Sequence, residues 1–350
     1  MNTCCFFSHD IKIKKISITE VHELAHLIKL EDYISRYQFD MQRYPTQFTR
    51  MKKERWYYLK NEWEQLQYPN PNEDILQVKM PAEESSSQAN IFKSTVQKLK
   101  RWNFFLKDKE EEDVEVIEIA GDEEEENRLP LKAKNLEHLK KLFLDDLYQS
   151  QIMWASSSLL ERSYLNPKYK YDQQLRFFAQ QVPDNFFLMY SPVFWIKQAP
   201  VDMDIVLISP SEIQCITVLE GSEHSVFEAS SDRFWVELVH KKERKLLSPI
   251  VAANRMASII KDILQENNCE FPIKRTVLSK DCIIDYKGQG LKVELVDKRS
   301  FSQWHEKLKK HPSPIKSQQL KVAKLLLDHC HTSAHVRQRV ESDNPDQDQS

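Results

Sequence analysis

The sequence predicts an α/β protein in which a mixed central sheet is flanked by helices and preceded by an N-terminal helical arm. Two observations predict this class. From Tyr169 onward, short apolar runs of strand length alternate with longer amphipathic segments. Before that point the apolar residues recur at helical spacing. The expected domains are a helical hairpin over 1–67, a linker over 68–130, an α/β domain over 131–331 and a disordered tail over 332–350.

Composition and cysteine usage favour an intracellular protein. The chain has 350 residues, a net charge of -3 and six cysteines without a C-x-x-C pair, which is typical of reduced thiols in the cytoplasm. No stretch approaches the ~20 apolar residues that a membrane span requires. The apolar residues at the N-terminus precede the lysines, the reverse of a secretory signal. The sequence therefore predicts a cytoplasmic location and no membrane span.

The N-terminal arm is expected to be an antiparallel pair of helices. Ser17 and Glu20 have the spacing of a capping box, which predicts a helix that ends near Arg36. Its apolar stripe consists of Val21, Leu24, Ala25 and Ile28. A second helix is expected from about Pro45 to Leu66. These helices are a candidate surface for a protein partner.

Two basic stretches, one in the second helix and one in an expected helix over 90–106, alternate with aromatic residues. This pattern is typical of nucleic-acid surfaces. It is equally typical of amphipathic helices whose lysine stems cover apolar neighbours. An acidic tract over 108–126 is expected to be a solvated connection, and it could shield these helices from polyanions. The candidate nucleic-acid-binding residues are Arg50, Lys52, Lys53, Arg55, Lys98, Lys100 and Arg101.

The α/β domain is expected to begin with a helix from about Lys132 to Ser156. Ser248 followed by Pro249 predicts another helix start, because serine caps helices and proline suits the first helical position. Further helices are expected over 172–181, 248–266, 300–310 and 314–331. Strands are expected over 186–196, 203–209, 212–219, 234–239, 273–278 and 292–296.

The run Ala199 to Gly221, the helix containing Asp172 and the helix start Ser248 to Arg255 resemble the nuclease-related domain (NERD) family, over residues 165–300. The segment Leu27 to Asp40 is also similar to the N-termini of NERD proteins from spore-forming bacteria. That likeness implies that residues 1–24 lie upstream of the usual start. The family implies a restriction-endonuclease-like fold with a PD-(D/E)xK core, and a bacterial origin.

The family's chemistry requires carboxylates on two neighbouring strands to hold Mg²⁺, and a lysine two residues beyond the second carboxylate. The resemblance places Asp204 at the first carboxylate, which makes it the candidate metal ligand. Thr217 and Leu219 stand where glutamate and lysine belong. Neither side chain can replace an anionic ligand or an ammonium. The expected protein is therefore a catalytically degenerate, nucleic-acid-associated or interaction module without a cofactor.

Two enzymatic alternatives remain open. The first is an active Mg²⁺-dependent nuclease in which Asp204, Asp172 and Glu220 are catalytic, and a β-bulge moves Glu220 to the required face. The second is a zinc metalloprotease, because His22-Glu23-Leu24-Ala25-His26 matches H-E-x-x-H. The imidazoles lie away from the apolar stripe of the expected helix, and no third ligand follows at a recognised spacing. A purely structural, partner-binding protein is the third class.

Overall fold

The structure is a computed structural model that describes residues 23–67, 129–158, 161–222, 224–230, 232–240, 242–288, 290–311, 313–332 and 337–338. The chain divides into two compact units, Met1–Tyr57 with Lys141–Arg339 and Tyr58–Lys140 with Val340–Ser350. In the second unit, the Trp63 indole donates a hydrogen bond of 3.3 Å to the Ala133 carbonyl. The expected basic helix over 90–106 and the acidic tract over 108–126 lie outside the described residues.

The described residues form both helices and strands. The helices are α1 (Arg36–Phe39), α2 (Arg43–Gln67), α3 (Leu129–Lys132), α4 (Leu136–Trp154), α5 (Lys168–Tyr171), α6 (Gln173–Gln181), α7 (Pro249–Glu266), α8 (Phe301–Lys309) and α9 (Ser317–Asp328). The strands are β1 (His26–Leu30), β2 (Arg162–Ser163), β3 (Phe187–Tyr190), β4 (Val193–Ile196), β5 (Ala199–Asp202), β6 (Ile205–Ile208), β7 (Ile213–Val218), β8 (Val226–Ala229), β9 (Phe234–Val239), β10 (Lys242–Leu247), β11 (Ile273–Leu278), β12 (Ile283–Tyr286), β13 (Glu294–Val296) and β14 (Arg337–Gln338).

The larger sheet has six strands in the order β1-β3-β6-β7-β11-β13. Strand β1 is parallel to β3, and β7, β11 and β13 are parallel to one another. Strand β6 is antiparallel to both of its neighbours, β3 and β7. The sheet is therefore mixed, and the predicted α/β class with a mixed sheet flanked by helices is confirmed.

The β6–β7 hairpin is buried on both faces, which explains why its two strands are almost continuously apolar. Helices α6 and α8 cover one face, where Ile205, Leu207 and Ile216 join the main apolar cluster. Helix α7 packs against β7 and β11 on the other face. Pro249 is the first residue of α7. The buried residues of α7 recur at helical spacing and include Ala253, Met256, Ile260 and Ile263.

A second sheet has four strands in the order β10-β9-β8-β12. Strands β8, β9 and β10 follow β7 along the chain, and β12 follows β11. The sheet brings Phe227 and Trp235 into an apolar cluster with Leu219 and Val277 of the larger sheet's β7–β11 region. The sequence predicted β9 alone in this region. Strand β10 was missed because its residues, KERKLL, are mostly exposed and charged and so lack an apolar alternation.

The predicted helix up to about Arg36, and with it the helical hairpin, is wrong in its described part. Residues His26–Leu30 form β1, all five of them buried, and pair in parallel with β3. Leu27, Ile28 and Leu30 fit the apolar side of a helix as well as a buried strand, so periodicity could not separate the two. The second predicted helix, from Pro45 to Leu66, is confirmed within α2.

The predicted strand over 186–196 is two strands, β3 and β4. Ser191, with φ of 48°, and Pro192 separate them. Strand β4 then forms a hairpin with β5 instead of extending the large sheet. None of the helices in the described residues is both long enough and apolar enough to cross a membrane.

Candidate functional site

Asp204 lies directly before β6, at the edge of the sheet where β7 ends. Ile205 is paired with Ile216, so Asp204 is at the level of Thr217 on the neighbouring strand. Its carbonyl accepts a hydrogen bond of 2.7 Å from the Ser191 amide, and its own amide lies 3.3 Å from Sδ of Met256 in α7. The predicted position of Thr217 opposite Asp204 across the hairpin is therefore present.

Thr217 and Leu219 point to the face of β7 on which α7 packs. Thr217 is buried, and its hydroxyl makes no hydrogen bond within the described residues. Leu219 is 8% exposed and belongs to the apolar cluster with Phe227 and Trp235. The position that the family resemblance assigns to a lysine is therefore a core position, whose neighbours are aromatic and aliphatic.

Asp172 acts as a helix cap rather than as a free carboxylate. One of its oxygens accepts a hydrogen bond of 2.9 Å from the Leu175 amide at the start of α6. The other accepts one of 2.9 Å from the Tyr190 hydroxyl. Burial, followed by the negative charge of Asp172, raises the pKa of Tyr190, so the phenol keeps its proton and remains the donor. Both Asp172 oxygens are thus engaged on the α6 side of the sheet.

Glu220 is exposed and lies two residues beyond the end of β7. The ladders on both sides of β7 are regular, and the Leu219 amide continues the pairing by donating 2.8 Å to the Leu278 carbonyl. The bulge that would bring Glu220 to the Thr217 face is therefore absent up to that point. Among the described residues, no three histidine, cysteine or acidic side chains are placed to hold a metal ion. The residues at this edge do not fit Mg²⁺.

The H-E-x-x-H segment does not form a zinc-binding helix in its described part. Glu23 makes an isolated bridge with Pro183, and His26 begins β1. The His26 ring is buried among aromatic residues, including Phe48 and Phe187 at centroid distances of 5.7 Å. Burial, helped by the nearby Lys52 charge, lowers the pKa of His26 to about 3, so the ring is neutral at physiological pH. His22 lies outside the described residues.

Two of the basic candidates, Lys52 and Arg55, are internal structural residues. The Lys52 ammonium is 1% exposed and donates 2.5 Å to an Asp184 carboxylate oxygen and 3.2 Å to the Glu23 carbonyl. Arg55 is also buried and forms an ion pair with Asp146 of α4. These contacts join α2 to the segments around β1, β3 and α4. Both side chains are buried and paired with groups of the same chain. The prediction that Lys52 and Arg55 belong to a nucleic-acid-binding surface is therefore wrong.

Arg50 and Lys53 lie on the exposed side of the same helix. Together with Thr46, Thr49, Glu54 and Ile315 they line a shallow groove. Arg50 also forms an exposed ion pair of 2.8 Å with Glu54, a type of contact that contributes little to stability. The remaining candidates, Lys98, Lys100 and Arg101, lie outside the described residues.

One aromatic pair was not identified from the sequence. The Trp195 indole on β4 is 47% exposed and stacks on the His331 ring, with a centroid distance of 4.9 Å and an interplanar angle of 27°. The pairing needs a chain reversal after α9 that returns His331 to β4, where its amide donates 2.7 Å to the Val193 carbonyl. In the sequence, the signal for this pair was a tryptophan in a segment bounded by prolines, and that signal is weak.

The family resemblance rests on the residues and the element order described above. Along the chain, α6, β3, β6, β7, β9, α7 and β11 follow the helix and strand order read from the sequence, and the other strands lie between them. Asp204 stands at the position that the resemblance assigns to the first carboxylate, and Thr217 and Leu219 stand at those it assigns to glutamate and lysine. Comparison of the chain with family models, curated proteins and solved structures gave no match.

Proposed function

We propose that this protein is a catalytically degenerate relative of the NERD nucleases, with a restriction-endonuclease-like fold, that associates with nucleic acid without cleaving it. The burial of Leu219 carries the proposal. A lysine that activates water must reach the metal and the solvent, whereas the Leu219 side chain is enclosed with Phe227 and Trp235. The packing around Leu219 therefore supports a protein without a catalytic group at this position.

The acid arrangement supports the same conclusion. Asp172 is engaged as a cap and as the acceptor for Tyr190, while Glu220 lies beyond a regular strand. Asp204 is then the one acid of the three that lies at the start of the β6–β7 hairpin beside Thr217, and one carboxylate is a weak ligand set for a hard divalent cation. An active nuclease that uses all three acids is therefore disfavoured.

The exposed basic side of α2 supports contact with a phosphodiester backbone. Arg50 and Lys53 are one helical turn apart and border the groove with Ile315. This surface lies near the starts of β1 and β3, because Lys52 of the same helix contacts Glu23 and Asp184 there. Asp204 lies at the opposite ends of these strands. The proposed contacts of Arg50 and Lys53 with the phosphodiester backbone are therefore separate from the region around Asp204.

The double substitution Arg50→Gln/Lys53→Gln is expected to weaken the binding of duplex DNA at low salt and to reduce the slope of log affinity against log salt by about 2. Each removed charge eliminates one backbone contact and its released counterion. Fluorescence anisotropy over a salt series measures both quantities.

Lys242→Gln/Lys245→Gln on the exposed strand β10 is the matched control, since it removes the same charge elsewhere. The control should leave the slope nearly unchanged. Equal losses in both variants would refute the α2 surface, and no binding by the unmodified chain at low salt would refute the proposed function.

A further inference from the structure

The β4–β5 hairpin presents a rigid, exposed aromatic surface. Trp195 is paired with Pro200 across the hairpin, and the Trp195 amide donates 2.9 Å to the His329 carbonyl on the other side of β4. Phe194, the preceding residue, is fully buried and forms a bridge with Cys330. Strand β4 is thus held on both sides, and Trp195 faces outward with its ring fixed against His331.

A fixed, solvent-facing tryptophan is a recognised platform for a nucleic-acid base. Every base has a π-face, and stacking of bases on aromatic side chains needs no particular sequence. A large exposed aromatic side chain is costly to keep in water, and tryptophan and tyrosine are enriched where they have a partner. The His331 ring leaves part of the Trp195 indole exposed, which is where a planar ligand could stack.

Cations lie on both sides of Trp195 along the hairpin. Lys197 is exposed in the turn, where Lys197 and Gln198 have φ of 48° and 66°, the left-handed values of a tight two-residue turn. At the other end, the exposed Arg255 guanidinium donates 3.1 Å to the carbonyl of Asp202, which pairs with Val193. Lys197 is two residues after Trp195, and Arg255 contacts the residue paired with Val193, two residues before Trp195. The two cations are therefore placed for phosphates on either side of a stacked nucleotide.

We propose that this hairpin binds single-stranded nucleic acid, with one base stacked on Trp195 and the flanking phosphates near Lys197 and Arg255. The inference rests on the proposed association with nucleic acid and names the form that this hairpin would recognise. A single strand is required because a base must leave its neighbours in a duplex before it can stack on a side chain. The platform is distinct from the duplex-backbone surface proposed on α2.

Trp195→Ala in the full chain is expected to weaken the binding of a labelled oligothymidylate by about 5- to 100-fold. Binding of an abasic oligomer of the same length should stay unchanged, because it has the phosphates but no bases. Trp195→Phe should keep most of the affinity. A purely structural role for Trp195 would alter both oligomers alike, so the pair of probes isolates stacking.

Phe234→Ala is the matched control, since Phe234 is another exposed aromatic side chain on a strand. Thermal unfolding of each variant checks that the fold is retained. The inference is overturned if Trp195→Ala leaves oligothymidylate binding unchanged, or weakens both oligomers equally, while the unmodified chain still binds duplex DNA. If the unmodified chain binds no nucleic acid at low salt, the proposed function itself fails. If Trp195 instead binds a protein partner, Trp195→Ala should leave oligothymidylate binding unchanged.

Discussion

Leu219→Lys is expected to lower the free energy of unfolding by about 4 kcal/mol, because the change loses apolar packing and places an unpaired ammonium in a core cluster. Leu219 is enclosed with Phe227, Trp235 and Val277. Its small exposure gives the lysine stem a narrow route to water, which limits the loss. Chemical denaturation with urea, followed by circular dichroism, measures the change.

Leu219→Met is the matched control, with an expected loss below about 1.5 kcal/mol because it conserves volume and polarity. The comparison separates the introduced charge from altered shape. An unchanged stability for Leu219→Lys would contradict the account, since the position would then have access to solvent and could still have held a catalytic lysine.

Asp184→Ala is expected to destabilise the protein by about 3 kcal/mol, because it leaves the Lys52 ammonium buried without its counter-charge. Lys52 would keep the Glu23 carbonyl as an acceptor at 3.2 Å, and the Asp184 side chain is partly exposed. Both features place the loss at the lower end of the range for broken buried ion pairs. Urea denaturation at neutral pH measures it.

The double substitution Lys52→Met/Asp184→Ala should recover most of this loss, because no charge then remains buried. Lys53→Met, on the exposed side of the same helix, should change stability by less than about 0.5 kcal/mol. A small change in the free energy of unfolding for Asp184→Ala, together with weaker DNA binding by Lys52→Met, would contradict this account. Lys52 would then be a nucleic-acid-binding residue.

The elements nearest the candidate site could be predicted from the sequence because their signals are local. A serine followed by proline marked the start of α7, and prolines bounded the apolar runs that became β6 and β7. The relation of Asp204 to Thr217 follows from a short hairpin between those strands. These features depend only on local backbone preferences and on short apolar runs of strand length.

What the sequence could not provide depends on contacts between distant segments. Strand β1 is a strand because β3 pairs with it from more than a hundred residues away, and its own pattern also suited a helix. The sequence around Lys52 is that of a surface cation, and its buried position depends on the ion pair with Asp184. The Trp195 platform needs His331 from after the last long helix. No local periodicity encodes such partners.

Cleavage of DNA and RNA in the presence of Mg²⁺ or Mn²⁺, by the unmodified chain and by Asp204→Ala, tests the central claim most directly. The β6–β7 hairpin has Asp204, whereas Thr217 and Leu219 stand where the proposed relationship would place a second carboxylate and a lysine, so neither protein is expected to cleave either polymer above the level of buffer. Cleavage by the unmodified chain that Asp204→Ala abolishes would contradict the account.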